Sequence, residues 1–211
     1  MYYHFKQTKQ IEDIASELGL LPPKGNHYVH CPPTMLIDGT KSQWIPFFFN
    51  EQLKRLRIGR LNLHTKQDSK LKLNDNSKVN CDLRKVTRIR SETINRAIII
   101  VDGFYVYHWN DVKGKDTSRH LIHHKTGGLM CIAGIYNVWN CPVVKYPIKT
   151  LSVITCDANS LIEPLDNKYK RMPVVLKPKD AFKWVNGTLD IDEDRHLKEY
   201  VNSLELDSCR R

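Results

Sequence analysis

The sequence has no C-x-x-C pair and no apolar run near the roughly 20 residues of a membrane-spanning helix, and it is short of acid. These gaps exclude whole classes of protein. Without C-x-x-C, the six cysteines (Cys31, Cys81, Cys131, Cys141, Cys156 and Cys209) form neither a zinc ribbon nor a redox motif. Scattered in this way, they are expected as buried thiols in a reducing compartment. The longest apolar run, Ala97 to Val101, is strand-sized. No basic segment leads into an apolar one at the start, so no secretory signal is expected. No cofactor and no membrane association are expected either, and the expected location is intracellular, in the cytoplasm or associated with the nucleoid or nucleus.

Acid is scarce overall, with 23 Asp and Glu against 33 Lys and Arg and a net charge of +10. The imbalance is also uneven. Between Glu51 and Ile100 stand 13 basic and five acidic residues, which places +8 of the charge in a quarter of the chain. Such a concentration suits a polyanion, most simply nucleic acid. It equally suits a solvated face.

What is present reads as one mixed α+β domain over residues 1–211, a length that supports one well-buried core. Ile11, Ile14, Ala15 and Leu18 form a helical stripe, with Thr8 as its N-cap and Gly19 as its stop. A second helix is expected from Pro178 to Gly187, and a third carries Leu197, Tyr200, Val201 and Leu204. "RAIIIV", "FYVYHW", "RHLIHH", "LMCIAGIYNVW", "KTLSVITC" and "MPVVL" read as strands, with a turn or bulge at Asp102-Gly103. Gln67 to Asn80 is polar and aperiodic, as an exposed loop would be. His120, His123 and His124 have metal-ligand chemistry, but residues three apart on a strand point to opposite faces, so no metal is expected.

Four segments stand in a telling order: Arg88 to Ile94 ("RIRSETI"), Arg96 to Trp109, Cys131 to Trp139 ("CIAGIYNVW") and Leu151 to Leu176. Together they resemble the SRAP family, the SOS-response-associated peptidases or abasic-site-processing proteins. "YVHCPPT" (Tyr28 to Thr34) and "WIP" (Trp44 to Pro46) add weaker matches, so the resemblance spans nearly the whole chain. It implies a curved, barrel-like, mainly antiparallel sheet with a few flanking helices. It also implies a partner, single-stranded or abasic-site DNA. In the family an N-terminal cysteine, exposed by removal of Met1, condenses with the ring-opened abasic sugar to a thiazolidine.

The chain opens "MYYHFKQTKQ", where the family has Met-Cys-Gly-Arg-Phe. The cysteine position holds Tyr2, whose phenol cannot supply the ring sulfur and is a poor nucleophile at its ordinary pKa of about 10. A large second residue also implies that Met1 stays on the chain. The family's catalytic asparagine, glutamate and histidine fall at Arg88, Val106 and Tyr169. Valine carries no proton and tyrosine is a weak base, so general acid–base catalysis is not expected from this set.

Arg90, Glu92, Thr93, Asp102, Gly103, Arg171, Met172 and Pro173 match the family. By the same resemblance Arg88, Arg90, Arg171, Lys170, His4 and Trp44 form the expected DNA-binding set, with Trp44 and Phe48 as candidates for base stacking. The opposite expectation for these motif remnants is structural, with arginines paired to Glu92 or Asp102. Two other functions fit: a protein-binding regulatory module on the same fold, and a covalent reaction with abasic DNA through a lysine Schiff base, Lys170 being the nearest amine.

Overall fold

The computed structural model describes residues 4–25, 31–49, 54–63, 80–83, 95–140, 146–189 and 206–210. The third expected helix, most of the polar loop and Tyr2, Arg88, Arg90, Glu92 and Thr93 lie outside them.

β-branched and aromatic residues dominate the strands that carry the core, such as WIPFF, RAIIIV and GFYVYHW, as pleated, half-buried surfaces favour. The strands are β1 (His4–Gln7), β2 (Thr34–Asp38), β3 (Trp44–Phe48), β4 (Arg57–Leu61), β5 (Asn80–Asp82), β6 (Arg96–Val101) and β7 (Gly103–Trp109). They continue with β8 (Thr117–His124), β9 (Met130–Trp139), β10 (Ile148–Asp157), β11 (Arg171–Pro173), β12 (Val175–Leu176) and β13 (Leu206–Arg210). Two helices, α1 (Ile11–Glu17) and α2 (Pro178–Val185), complete the described elements.

Five strands close a barrel. β10 pairs with β4, β4 with β3, β3 with β6, β6 with β9, and β9 again with β10; only the β10–β4 contact is parallel. Closure removes the exposed edges that an open sheet would leave. Toward its C-terminal end β10 leaves β9, and the freed edges are filled by β11 on β10 and β12 on β9. Val174, between them, bonds both ways, donating to Ile154 and accepting from Ala133. β5 runs parallel to β10 at Val153 to Thr155, and the other five strands form a second sheet in the order β13-β8-β7-β1-β2. The architecture is thus the expected α+β, barrel-like one.

Asp102-Gly103 is where the chain leaves the barrel for the second sheet, rather than a hairpin turn between paired neighbours. Gly103 is required there by space: a Cβ would lie 2.6 Å from the Ile122 carbonyl oxygen. Thr8 is not the cap of α1. Gln10 holds that place without a side-chain bond, while the Thr8 N–H and hydroxyl both donate to Asp102 Oδ2. A carboxylate 94 residues away thus outcompetes the local helix donors, and Asp102 takes a threonine rather than an arginine. The expected stop and start do hold: Gly19 has φ +61° just past α1, and Pro178 opens α2, where a missing N–H costs nothing.

One core runs from Phe5 on β1 to Leu206 on β13. Phe5, of the aromatic opening segment, is buried within it. Phe47, Phe48 and Phe49 are core as well, and Phe48 packs 5.1 Å from Phe182 of α2. Phe48 is therefore unavailable for stacking on a base.

Candidate nucleic-acid interface

β7 carries Val106, the residue expected at the family's glutamate position. Alternation along the strand turns Phe104 and Val106 toward the core and Tyr105 and Tyr107 to the opposite face. Val106 is 3% exposed and belongs to the core cluster. His120 of β8 is its direct cross-strand partner, and His108 follows on the same face.

The His108 ring is held at both nitrogens. His108 Nδ1 lies 3.0 Å from the Pro164 carbonyl, so it carries the proton there, and Nε2 faces the Asn167 amide at 3.4 Å. Both ring nitrogens are thereby occupied. Asn167 also bonds both backbone groups of Trp109 at 2.9 Å, which ties the 166–171 segment to the end of β7. The structure thus brings the segment containing Tyr169 beside the strand containing Val106. Sequence reasoning passed over Asn167 and His108 and weighed His120 only as a metal ligand; the period-two alternation past Val106 was the signal for His108.

Tyr169 is largely exposed. Below it Asp166 accepts from the Tyr169 and Arg171 backbone N–H groups, and burial raises its pKa against those two bonds. Lys170 adopts φ +50°, fixed by backbone bonds from its N–H to Asp166 and to its carbonyl from Ala158. Its ammonium pairs with Glu163 at 3.0 Å on the exposed surface. Such surroundings do not make an amine nucleophilic, which requires desolvation or a cationic neighbour.

Arg171 differs most from expectation. Its Nη2 pairs with Asp82 at 2.7 Å and bonds the Thr155 carbonyl at 3.0 Å, while Nη1 pairs with Asp157. The side chain is only 15% exposed. Held by two carboxylates and the Thr155 carbonyl, Arg171 is a clamp joining β5, β10 and β11 rather than a free phosphate contact. The carboxylates that hold it are far apart in sequence, and no local motif announces them.

His4 lies on the other face of β7 from Val106. Its ring packs edge-on to Tyr107 with centroids 5.4 Å apart, and Nε2 is 3.5 Å from Asp38. Burial lowers its pKa, opposed by Asp38 and reinforced by Arg119 and Lys41. Asp38 is itself partly desolvated, yet hydrogen bonds from Thr40, with His4 and Lys41, bring its pKa below the usual carboxylate value. Nearby Tyr107, Asn110, Ser118, Arg119 and Arg210 line a shallow polar cleft. Burial raises the Tyr107 phenol, opposed by Arg119.

His120 is also lowered, by burial first and then by Arg210 and His108. Both folded-state values of His4 and His120 thus lie below the unfolded one near 6.5. The unfolded chain takes up protons that the folded chain refuses, so stability falls as pH drops through and below that value. Urea midpoints measured from pH 7.5 to 5 are expected to decline. His4→Gln with His120→Gln is expected to flatten that decline.

Trp44 stands apart from these residues. It pairs with Arg60 across β3–β4, and that guanidinium lies 4.8 Å from its ring centroid. Arg60 is in turn opposite Thr150, toward the end of β10 remote from Arg171. Among the described residues no group of three or more His, Cys, Asp or Glu is placed to hold a metal. None of the described helices is long and apolar enough to cross a membrane.

The profile of the SOS response associated peptidase (SRAP) family matches residues 37–210. The chain belongs to this family. Abasic site processing protein YoqW of Bacillus subtilis is 36% identical over 91 residues, 43% of this chain and 38% of that protein. An abasic site processing protein of Saccharomyces cerevisiae is 26% identical over 184 residues, 86% of this chain and 42% of its own length. The chain therefore spans less than half the length of these relatives. Among solved structures, a protein from Bacteroides thetaiotaomicron superposes with a TM-score of 0.77 at 18% identity, covering 98% of this chain and 90% of that one. A protein from Bordetella bronchiseptica gives 0.68 at 14% identity over 99% and 98%. These two show that the SRAP chain's barrel and second sheet form a recurring fold.

Proposed function

We propose that this SRAP-family chain binds DNA at abasic, damaged or single-stranded sites without forming the thiazolidine crosslink. One observation carries the reading: Val106, expected at the family's glutamate position, is buried at 3% exposure, and both nitrogens of the nearest histidine on its strand are engaged. The DNA partner is supported by the names of the curated relatives and by the basic charge. Tyr2 in place of the cysteine and Tyr169 in place of the histidine agree with the loss of covalent chemistry.

Arg88, Arg90, His4 and Lys170 are the proposed contacts, and Trp44, at the other end of β10 from Arg171, is a proposed contact for a longer strand. The exposed Lys170–Glu163 pair argues against the lysine Schiff base.

Binding of this kind is electrostatic. If about four phosphates are neutralised on a single strand, log affinity falls with log salt at a slope of about −2.8. That is a loss of about 50-fold between 50 and 200 mM salt. Fluorescence anisotropy with a labelled abasic oligonucleotide tests it. A tight, salt-insensitive complex, or none at low salt, would contradict the reading.

A further inference from the structure

At the start of β10, far from Arg171, lies a cavity of about 190 Å³. Trp44 and Tyr146 are its aromatic walls, and Lys24, Arg57 and Lys149 are its cations. Ile148 lines it, and Asp157, nine residues along the same strand, holds Arg171. At about 3.3 Å per residue, the two ends of β10 are roughly 30 Å apart.

The walls are built rather than incidental. Leu21 donates to the Lys54 carbonyl and accepts from Leu56, each at 2.9 Å, and Arg55 donates to the Pro22 carbonyl. These bonds fix the Pro23–Lys24 wall to the entrance of β4. Pro147 fixes the backbone between Tyr146 and Ile148. Behind the cavity Lys149 and Arg57 are held 5.0 and 6.0 Å from the Phe49 ring, which orients both cations.

The volume suits one planar aromatic group, well below the roughly 300 Å³ or more of a drug-sized ligand site. Planar aromatic plus anion is the chemistry of a nucleotide. We infer that this cavity is a nucleotide subsite, taking a base against Trp44 and Tyr146 and its phosphate on Lys24, Arg57 and Lys149. It rests on the proposed DNA binding when the nucleotide belongs to a strand; a free mononucleotide offers the same chemistry. A strand seated near β11 reaches the subsite only if it is long enough to cross the barrel.

Tyr146 is 44% exposed, so its loss leaves the fold intact. Tyr146→Ala and Lys24→Glu are compared with wild type by anisotropy on abasic single strands of six and 20 nucleotides, and by NMR titration with dAMP. Stacking of one base predicts about a tenfold loss on the long strand. The short strand is expected to change less than about twofold, on the same stacking scale. Unchanged affinity for both strands, with wild type binding them, would overturn the subsite and leave the DNA reading standing. An equal loss on both lengths would overturn its separation from the β11 end. If wild type binds neither strand, the DNA reading fails; dAMP shifts that vanish in Tyr146→Ala then support a free-nucleotide site, and no dAMP shifts overturn it.

Discussion

Arg171→Ala is expected to lower the unfolding free energy by about 2–4 kcal/mol, read as a shift of the urea midpoint. The guanidinium joins Asp82 and Asp157, and its removal leaves both carboxylates without that partner at the junction of β5, β10 and β11. The figure sits at or below the range for a fully buried pair because Asp157 is 50% exposed and regains water. Arg171→Lys is expected to recover only part of the loss, since a single ammonium cannot fork between two carboxylates. An arginine that served only to meet phosphate would behave oppositely, losing affinity with the midpoint unchanged. This contrast matters for any DNA-binding assay, because charge reversal at Arg171 damages the fold first.

Gly103→Ala is expected to cost about 3 kcal/mol, at the upper end of overpacking effects. The added methyl would lie 2.6 Å from the Ile122 carbonyl oxygen and 2.9 Å from Leu121 Cδ1. The leucine can turn, but the carbonyl is β8 backbone paired with β7, so relief requires the two strands to part. Gly19→Ala is the comparison: it has φ +61° and open space, so only the backbone preference is lost, about 1 kcal/mol. Thermal unfolding of the two variants separates the effects. Equal small losses would mean that the sheet crossing at Asp102-Gly103 is looser than described. Because β7 carries Val106 and His108, the Gly103 variant is also expected to disturb the candidate interface.

Local pattern made much of this fold legible. The β-branched run Arg96 to Val101, the aromatic strand after Gly103 and the Pro178 start of α2 all follow from residue type and period. Barrel closure does not, because the parallel contact between β4 and β10 joins Arg60 to Thr150 and no local signal encodes it. The same physics explains the Thr8 and Arg171 expectations. Each side chain had a plausible local or ligand partner, and a carboxylate distant in sequence took it instead. At the candidate interface, motif order alone gives the expectation that Val106 and Tyr169 stand at altered positions. The engagement of His108 by Pro164 and Asn167, and the separation of Trp44 from Arg171 along β10, needed the fold.

The central claim is binding without covalent capture, and a denaturing gel tests it most directly. The protein is incubated with single-stranded DNA carrying one abasic site, with and without borohydride, under salt conditions where anisotropy shows the complex. The account predicts free DNA in both lanes. A shifted band without reductant would contradict it by revealing a nucleophile that forms a stable adduct despite Tyr2, and a band only with borohydride would contradict it by revealing a lysine imine.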